Sequence, residues 1–206
     1  MSFATYSDLK TSIAGYLARS DLTSQIPDFI TFAENRLRRE LRIRQMLKSV
    51  TTSTVSGDST VELPSDFLEI RDFVVMTNPI QPLSYSSPSA LSNDPRASEV
   101  GVPKSYTILA SEFLLSPPPD AIYTLRMLYF AAPAYLSSTN ASNVFLTTAP
   151  DALLYASLIE AEPYMFNDAR INTWGTMYDR AISSLAKSDE QGQYSGVPLA
   201  MKLTPR

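Results

Sequence analysis

The sequence predicts an α+β fold: a helical bundle from N- and C-terminal helix pairs, a central antiparallel strand-rich insertion and an extended C-terminal tail. Three observations predict it. Apolar residues recur at steps of three and four in 1–45 and again in 148–190. Between them, in 46–147, short Ser-, Thr- and Val-rich runs alternate with Pro- and Asn-containing turns. In 191–206, which contains two Gly and two Pro, the helical period stops, yet apolar residues persist.

The first helix opens at Thr5-Tyr6-Ser7-Asp8, where Thr5 can cap the first amides and Asp8 suits the positive helix end. Leu9, Ile13 and Tyr16 then form one stripe, predicting a helix from Tyr6 to Ala18. Thr23 or Ser24 is expected to cap a second helix, with Pro27 in its first turn and Ile26, Ile30, Ala33, Leu37 and Leu41 as its inner stripe. Seven strand candidates follow: Val50–Val55, Thr60–Leu63, Ile70–Met76, Ile80–Tyr85, Ser105–Leu109, Glu112–Leu115 and Ala121–Phe130. Short strands so punctuated suggest an antiparallel sandwich or barrel-like sheet. A third helix is expected to be capped by Thr148, with Pro150 in its first turn, and to end or kink at Pro163. Its Leu153, Leu154, Leu158 and Ala161 run apolar nearly all round, which predicts burial. Asn167 or Asp168 is expected to cap a fourth helix, whose stripe is Ile171, Trp174, Tyr178, Ile182 and Leu185.

Composition removes whole classes of chemistry. The 206 residues include no histidine and no cysteine, which excludes imidazole bases, thiol nucleophiles, disulfides and His- or Cys-ligated metals. With six glycines, neither phosphate-binding glycine motif can be drawn. Catalysis by carboxylates alone, or with an oxygen-bound metal, stays open. The absence of a long apolar run and of a signal-like N-terminus leads to the expectation of a soluble chain made in a cytoplasm, without a membrane partner. A net charge of −4 argues against bulk attraction to nucleic acid or anionic lipid.

Two residue sets stand out. Arg36, Arg38, Arg39, Arg42 and Arg44 crowd the end of the second helix, with Glu34 and Glu40 among them. They suit a solvated helix C-terminus, and equally a protein interface between subunits, where arginine forks take carboxylates bidentately. Phosphate binding is less favoured, because no aromatics or glycines interleave them. Tyr194, Val197, Leu199, Met201 and Leu203 make the tail more apolar than a solvated end requires. Insertion between neighbouring subunits is the favoured role, with docking on the chain's own domain as the alternative. Glu160 and Glu162 are two apart and do not share a helix face, so a catalytic pair is not expected. Asp66, Glu69 and Asp72 lie near a turn, where surface carboxylates are the default. No catalytic, cofactor-binding or metal-binding residue is assigned.

Several stretches resemble, in order, a family of phage head-to-tail adaptor (connector) proteins of short-tailed and related tailed phages. They are 5–14, 20–30, Ala33-Glu34-Asn35-Arg36-Leu37 with the Arg-rich end that follows, and Leu63-Pro64-Ser65-Asp66-Phe67-Leu68-Glu69. Further on come 106–108, Leu114-Leu115-Ser116-Pro117-Pro118-Pro119-Asp120, 125–129, 148–155 and Tyr194-Ser195-Gly196. Residues 84–100 resemble the family least. The resemblance implies a structural virion protein of the neck or tail, present in the host cytoplasm during assembly. It also implies a ring of twelve copies below the portal, a platform for tail or nozzle proteins, and a channel through which genome DNA passes without sequence-specific binding. No cofactor or turnover is implied.

On this reading, removing residues 194–206 leaves a folded domain but impairs assembly. Reversing Arg38 and Arg39 to Glu weakens assembly while barely moving the melting temperature. The alternatives are a carboxylate-dependent phage hydrolase using Asp66 or Glu69, a nucleic-acid binder working through Arg36–Arg44, or another neck or tail accessory protein.

Overall fold

The structure is a computed structural model and describes residues 4–19, 21–93, 99–165 and 169–194. It is α+β, with six α-helices among the described residues and sheets built mainly of antiparallel pairs. The chain forms two compact units: Met1–Gln45 with Pro133–Arg206, and Met46–Ala132.

In the first unit, helix α1 spans Tyr6–Leu17. The expected capping box forms: the Asp8 amide donates to Thr5 Oγ1 at 3.2 Å, and the Thr5 amide donates to Asp8 Oδ2 at 3.1 Å. Helix α2 spans Ile26–Glu40. Neither Thr23 nor Ser24 caps it. Gln25 occupies the cap position without a side-chain bond, and a backbone turn satisfies the first amides instead, with Gln25 N and Ile26 N donating to Leu22 O. The predicted inner stripe is buried in full: Ile26, Ile30, Ala33, Leu37 and Leu41.

Thr148 does not cap the third predicted helix either. It ends a short helix α4, Val144–Thr148, whose cap is Asn143. Helix α5, Pro150–Glu160, follows with Ala149 at its start and, as expected, stops ahead of Pro163. A single 3-10 turn, Glu162–Tyr164, comes next. Ala152, Leu153, Leu154, Ala156, Ser157 and Leu158 are all buried, because α1, α2, α4 and the last helix all pack on α5. That last helix, α6, runs Arg170–Tyr194. It corrects the expectation of an extended tail from residue 191, since 191–194 continue the helix. The Asn167 and Asp168 cap positions and Val197, Leu199, Met201 and Leu203 lie outside the described residues.

The segment 133–143 belongs to this helical unit, not to the strands as its sequence position suggested. Its backbone serves α1 and α2: Tyr6 N donates to Ala141 O at 2.7 Å, and Leu136 N donates into α2.

Among its described residues the second unit contains eight strands and the short helix α3, Pro88–Ser92. The strands are β1 Leu47–Ser53, β2 Thr60–Glu62, β3 Phe67–Val75, β4 Gln81–Pro82, β5 Ser84–Tyr85, β6 Ser105–Leu109, β7 Glu112–Ser116 and β8 Thr124–Ala131. They form two four-stranded sheets, ordered β1-β8-β3-β4 and β2-β7-β6-β5. The single predicted strand Ile80–Tyr85 is two pieces, because the chain changes sheet at Leu83. There Leu83 N donates to Phe73 O and Ser84 N to Lys104 O, and the Leu83 side chain enters the core. β5 then pairs in parallel with β6, a departure from the antiparallel pattern expected.

Alternation fixes which face is buried. On β8, Leu125, Met127 and Tyr129 point to the core, opposite Thr52, Val50 and Lys48 of β1. Phe113 from the second sheet packs edge-on against Phe67 at 5.6 Å and against Phe73 at 4.9 Å, so one core joins both sheets.

Candidate functional site

The arginine-rich end of α2 is where the sequence points first, and its geometry begins with a carboxylate. Glu34 occupies a position four after Ile30 and three before Leu37, so helical period alone turns it inward. It is 1% exposed. A buried carboxylate requires donors, and the segment 133–143 supplies them: Leu136 N at 3.1 Å and Asn143 Nδ2 at 2.6 Å. Asn143 also caps α4 through Leu146 N at 3.1 Å, so one side chain ties that helix start to Glu34. Burial raises the Glu34 pKa, while the hydrogen bonds from Leu136 and Asn143 and the charge of Arg38 pull against it.

The five arginines do not form one free face. Arg36 donates to Glu160, with Nε at 2.9 Å, and its guanidinium lies 5.9 Å from the Tyr178 ring centre. Tyr178 itself donates to Glu40; burial and then that bond raise its pKa. Arg38 lies 3.4 Å from the Tyr135 ring centre and donates to Pro133 O. Arg42 donates to Arg38 O at 2.8 Å and Leu41 O at 2.7 Å, the free carbonyls at the helix end. Arg44 meets Asp189 of α6 twice, through its backbone N at 2.9 Å and its Nε at 3.3 Å. Its guanidinium lies against Gly192, where any side chain would displace it. Arg39 is exposed, as is Arg44, but among the described residues no carboxylate lies within ion-pair distance of Arg39. Beside this region a groove of about 260 Å³ opens between the end of α2 and α6, floored by Leu41, Ile43, Ile182 and Ala186.

The carboxylates considered for chemistry are engaged elsewhere. Glu160 holds Arg36. Asp66 accepts from Lys48 Nζ at 2.6 Å and from Tyr129 Oη at 2.7 Å. Burial raises the Asp66 pKa, but the bonds from Lys48 and Tyr129 outweigh it and hold the carboxyl below its ordinary range. Among the described residues no group of three or more acidic side chains stands together to hold a metal ion. Trp174 and Tyr178 are buried at the positions their spacing predicts.

Sequence reasoning missed two features. The inward place of Glu34 was legible from its spacing, as noted; the pairing of Arg44 with Asp189, 145 residues apart, carried no local signal. Nor did it find the exposed apolar residues at one end of the first sheet: Val55 at 63% and Ile122 at 75% exposure, with Met76 beside them. They share that end because Thr54 N donates to Tyr123 O and Met76 N to Thr124 O.

A two-unit fold in which the α2-end arginines other than Arg39 hold partners of their own fold, and whose described surface keeps apolar patches, has the features of a structural component. Comparison with known families identifies the class: the chain belongs to the family described as SU10 adaptor protein, which it matches over residues 4–202. It is thus a phage structural adaptor protein and a virion component. No curated protein matches the chain. No helix among the described residues is long and apolar enough to cross a membrane.

Proposed function

We propose that this chain is the head-to-tail adaptor of a tailed phage: a ring, of twelve copies as its family resemblance implies, that sits below the portal, joins it to a tail or nozzle protein and leaves a channel for the genome. The observation that carries this reading is the family match across 4–202, which takes in both compact units. Physical features support it. A ring subunit needs two lateral faces and two axial ones, more contact surface than a monomer uses. Exposed Val55, Ile122 and Met76, and exposed Phe32 on α2, are apolar surface of the kind that contacts cover. An overall charge of −4 suits a channel along which DNA slides, since extensive phosphate neutralisation would retain it.

Within the arginine cluster, Arg39 is the member available for lateral or portal contact, because Arg36, Arg38, Arg42 and Arg44 already serve their own fold. Tyr194, Val197, Leu199, Met201 and Leu203 remain the tail contacts. Mass photometry of the purified chain, alone and with the portal encoded by the same genome, tests the reading. A small species alone and a ring on the portal are expected; no complex at micromolar concentration would reject it.

A further inference from the structure

The end of the sequence carries a period of two. From Val197 it reads Val-Pro-Leu-Ala-Met-Lys-Leu, placing Val197, Leu199, Met201 and Leu203 at every second position with Pro198, Ala200 and Lys202 between them. Large apolar side chains at every second position over seven residues, with smaller or charged ones between, suit a strand with one larger apolar face.

The fold offers an edge of the same length. β1 is seven residues long and pairs with β8 on one side, while among the described residues no strand pairs with its other side. The other three edge strands, β2, β4 and β5, have three, two and two residues. Long open edges are normally blunted by charge, proline or a bulge, because their free N–H and C=O groups recruit further strands. β1 has no proline and no glycine, and its one charge, Lys48, is held by Asp66. Its core-facing residues Lys48, Val50 and Thr52 lie opposite Tyr129, Met127 and Leu125, and Val50 is only partly buried against the core. The core therefore remains open on the β1 side, where one more apolar strand face would cover it.

We propose that residues 197–203 of one copy add as a strand to the β1 edge of the next copy. This rests on the ring reading above. Backbone direction agrees with it. Thr54 N donates to Tyr123 O, so Lys48, Val50 and Thr52 turn their backbone groups to β8, and Leu47, Ser49, Thr51 and Ser53 turn theirs to the open edge. A strand added parallel to β1 therefore sets Val197, Leu199, Met201 and Leu203 on the core face with their backbone groups toward β1, and Pro198 falls on the new outer edge. There its missing N–H costs nothing, and Lys202 on the same side helps to close the edge against further growth. Main-chain bonds supply the affinity and the apolar side chains the register, as in other strand-addition complexes. Donor and acceptor are different surfaces of one chain, which makes the contact head-to-tail, the kind that closes into rings.

The sequence has no cysteine, so disulfide trapping reads the contact directly. Ala200→Cys, on the polar face of the added strand, is combined in turn with Ser49→Cys, Thr51→Cys and Ser53→Cys on the outward face of β1; Thr52→Cys, on the core face, is the control. Each full-length variant is assembled on the portal from the same genome, oxidised and run without reductant. At least one outward-face pair is expected to give a ladder of multimers, and the control none. A faster-migrating monomer with no ladder would overturn the proposal by showing the strand docked on its own chain. Rings that form normally on the portal yet yield no crosslink with any pair would also overturn it, while leaving the ring reading standing. If the cysteine-free parent forms no ring, the ring reading fails and the strand exchange fails with it.

Discussion

The two compact units solve the same problem with different materials. In the helical unit two carboxylates, Glu34 and Asp189, are buried; each accepts from a backbone N–H, and Asp189 pairs with Arg44 while Glu34 feels the charge of Arg38. In the strand unit no charged side chain among the described residues is buried; the core is Phe73, Phe113, Leu125, Met127 and their neighbours, and the ion pair of Lys48 with Asp66 stays at the rim. A sheet core is specified by shape, since alternation delivers apolar side chains to one face and aromatic rings interlock there. The junction of α2 with 133–143 is specified by charge and hydrogen bonding, which tolerate fewer alternative registers because each unmet partner is costly.

That contrast breaks most readily at Phe113. It is fully buried and touches Phe67, Phe73 and Tyr106, so Phe113→Ala is expected to cost about 3–5 kcal/mol. Trp174, the one tryptophan, sits in α6 and reports on the helical unit alone, whereas far-UV circular dichroism follows both units. Urea titration should show the strand signal lost ahead of the Trp174 transition. Coincident transitions would mean that the units unfold together and that the contrast has no thermodynamic counterpart.

Next comes Glu34→Ala, which strands Leu136 N, the Asn143 amide and the Arg38 charge; removing one partner of a buried charged network costs about 3 kcal/mol or more. Here the Trp174 transition should move first. Glu34→Gln, which keeps an acceptor, should cost less, and an equal loss in both variants would show that the charge, not the acceptor, holds this junction.

Arg38 and Arg39 are adjacent in sequence and opposite in fate. Arg38→Glu would set a second carboxylate near Glu34 and abandon Tyr135 and Pro133 O, so a loss of about 2–3 kcal/mol is expected, in contrast to the small effect that sequence alone suggested. Arg39→Glu should change stability by no more than about 0.5 kcal/mol while reducing ring yield on the portal. Unchanged ring yield would remove Arg39 from the interface.

How much of this was legible follows from the range of the forces involved. Local rules found α1 with its capping box, the buried stripe of α2, the all-round burial of α5 and the limits of β6, because capping, period and alternation are set within a few residues. They failed where distant chain intervened. Thr148 lost its cap role because Asn143, held by Glu34 more than a hundred residues away, starts a helix upstream. Ile80–Tyr85 read as one strand because nothing local marks Leu83 as the point where the chain changes sheets. The arginine cluster looked like a single surface in sequence, and only the positions of Glu160, Pro133, Tyr135 and Asp189 separate the four arginines that hold internal contacts from Arg39.

The smallest effect sharpens the comparison through pH, because the two units carry shifts of opposite sign. The pKa of Glu34 is raised in the folded protein, so its contribution to stability is fully present below the ordinary glutamate value, about 4.3, and is lost as pH rises through the raised folded value. Asp66 is held below its ordinary value, so its contribution is present above about 3.9 and is lost as pH falls through the depressed value. Acidification therefore relieves the helical unit at Glu34 and weakens the strand unit at Asp66. Asp66→Asn should make the acid loss of stability shallower below about pH 4, whereas Glu34→Gln should make it steeper in the window just above. Asp66 keeps 30% of its side chain exposed, so solvent screens its pair with Lys48 and its slope should change by the lesser amount. Melting temperatures of the parent and both variants, taken at half-unit steps from pH 6 to pH 3, measure the two slopes. A shallower curve for Glu34→Gln would show that Arg38 and the donors of 133–143 outweigh the burial of that carboxylate, and that both units hold their acids in the same sense.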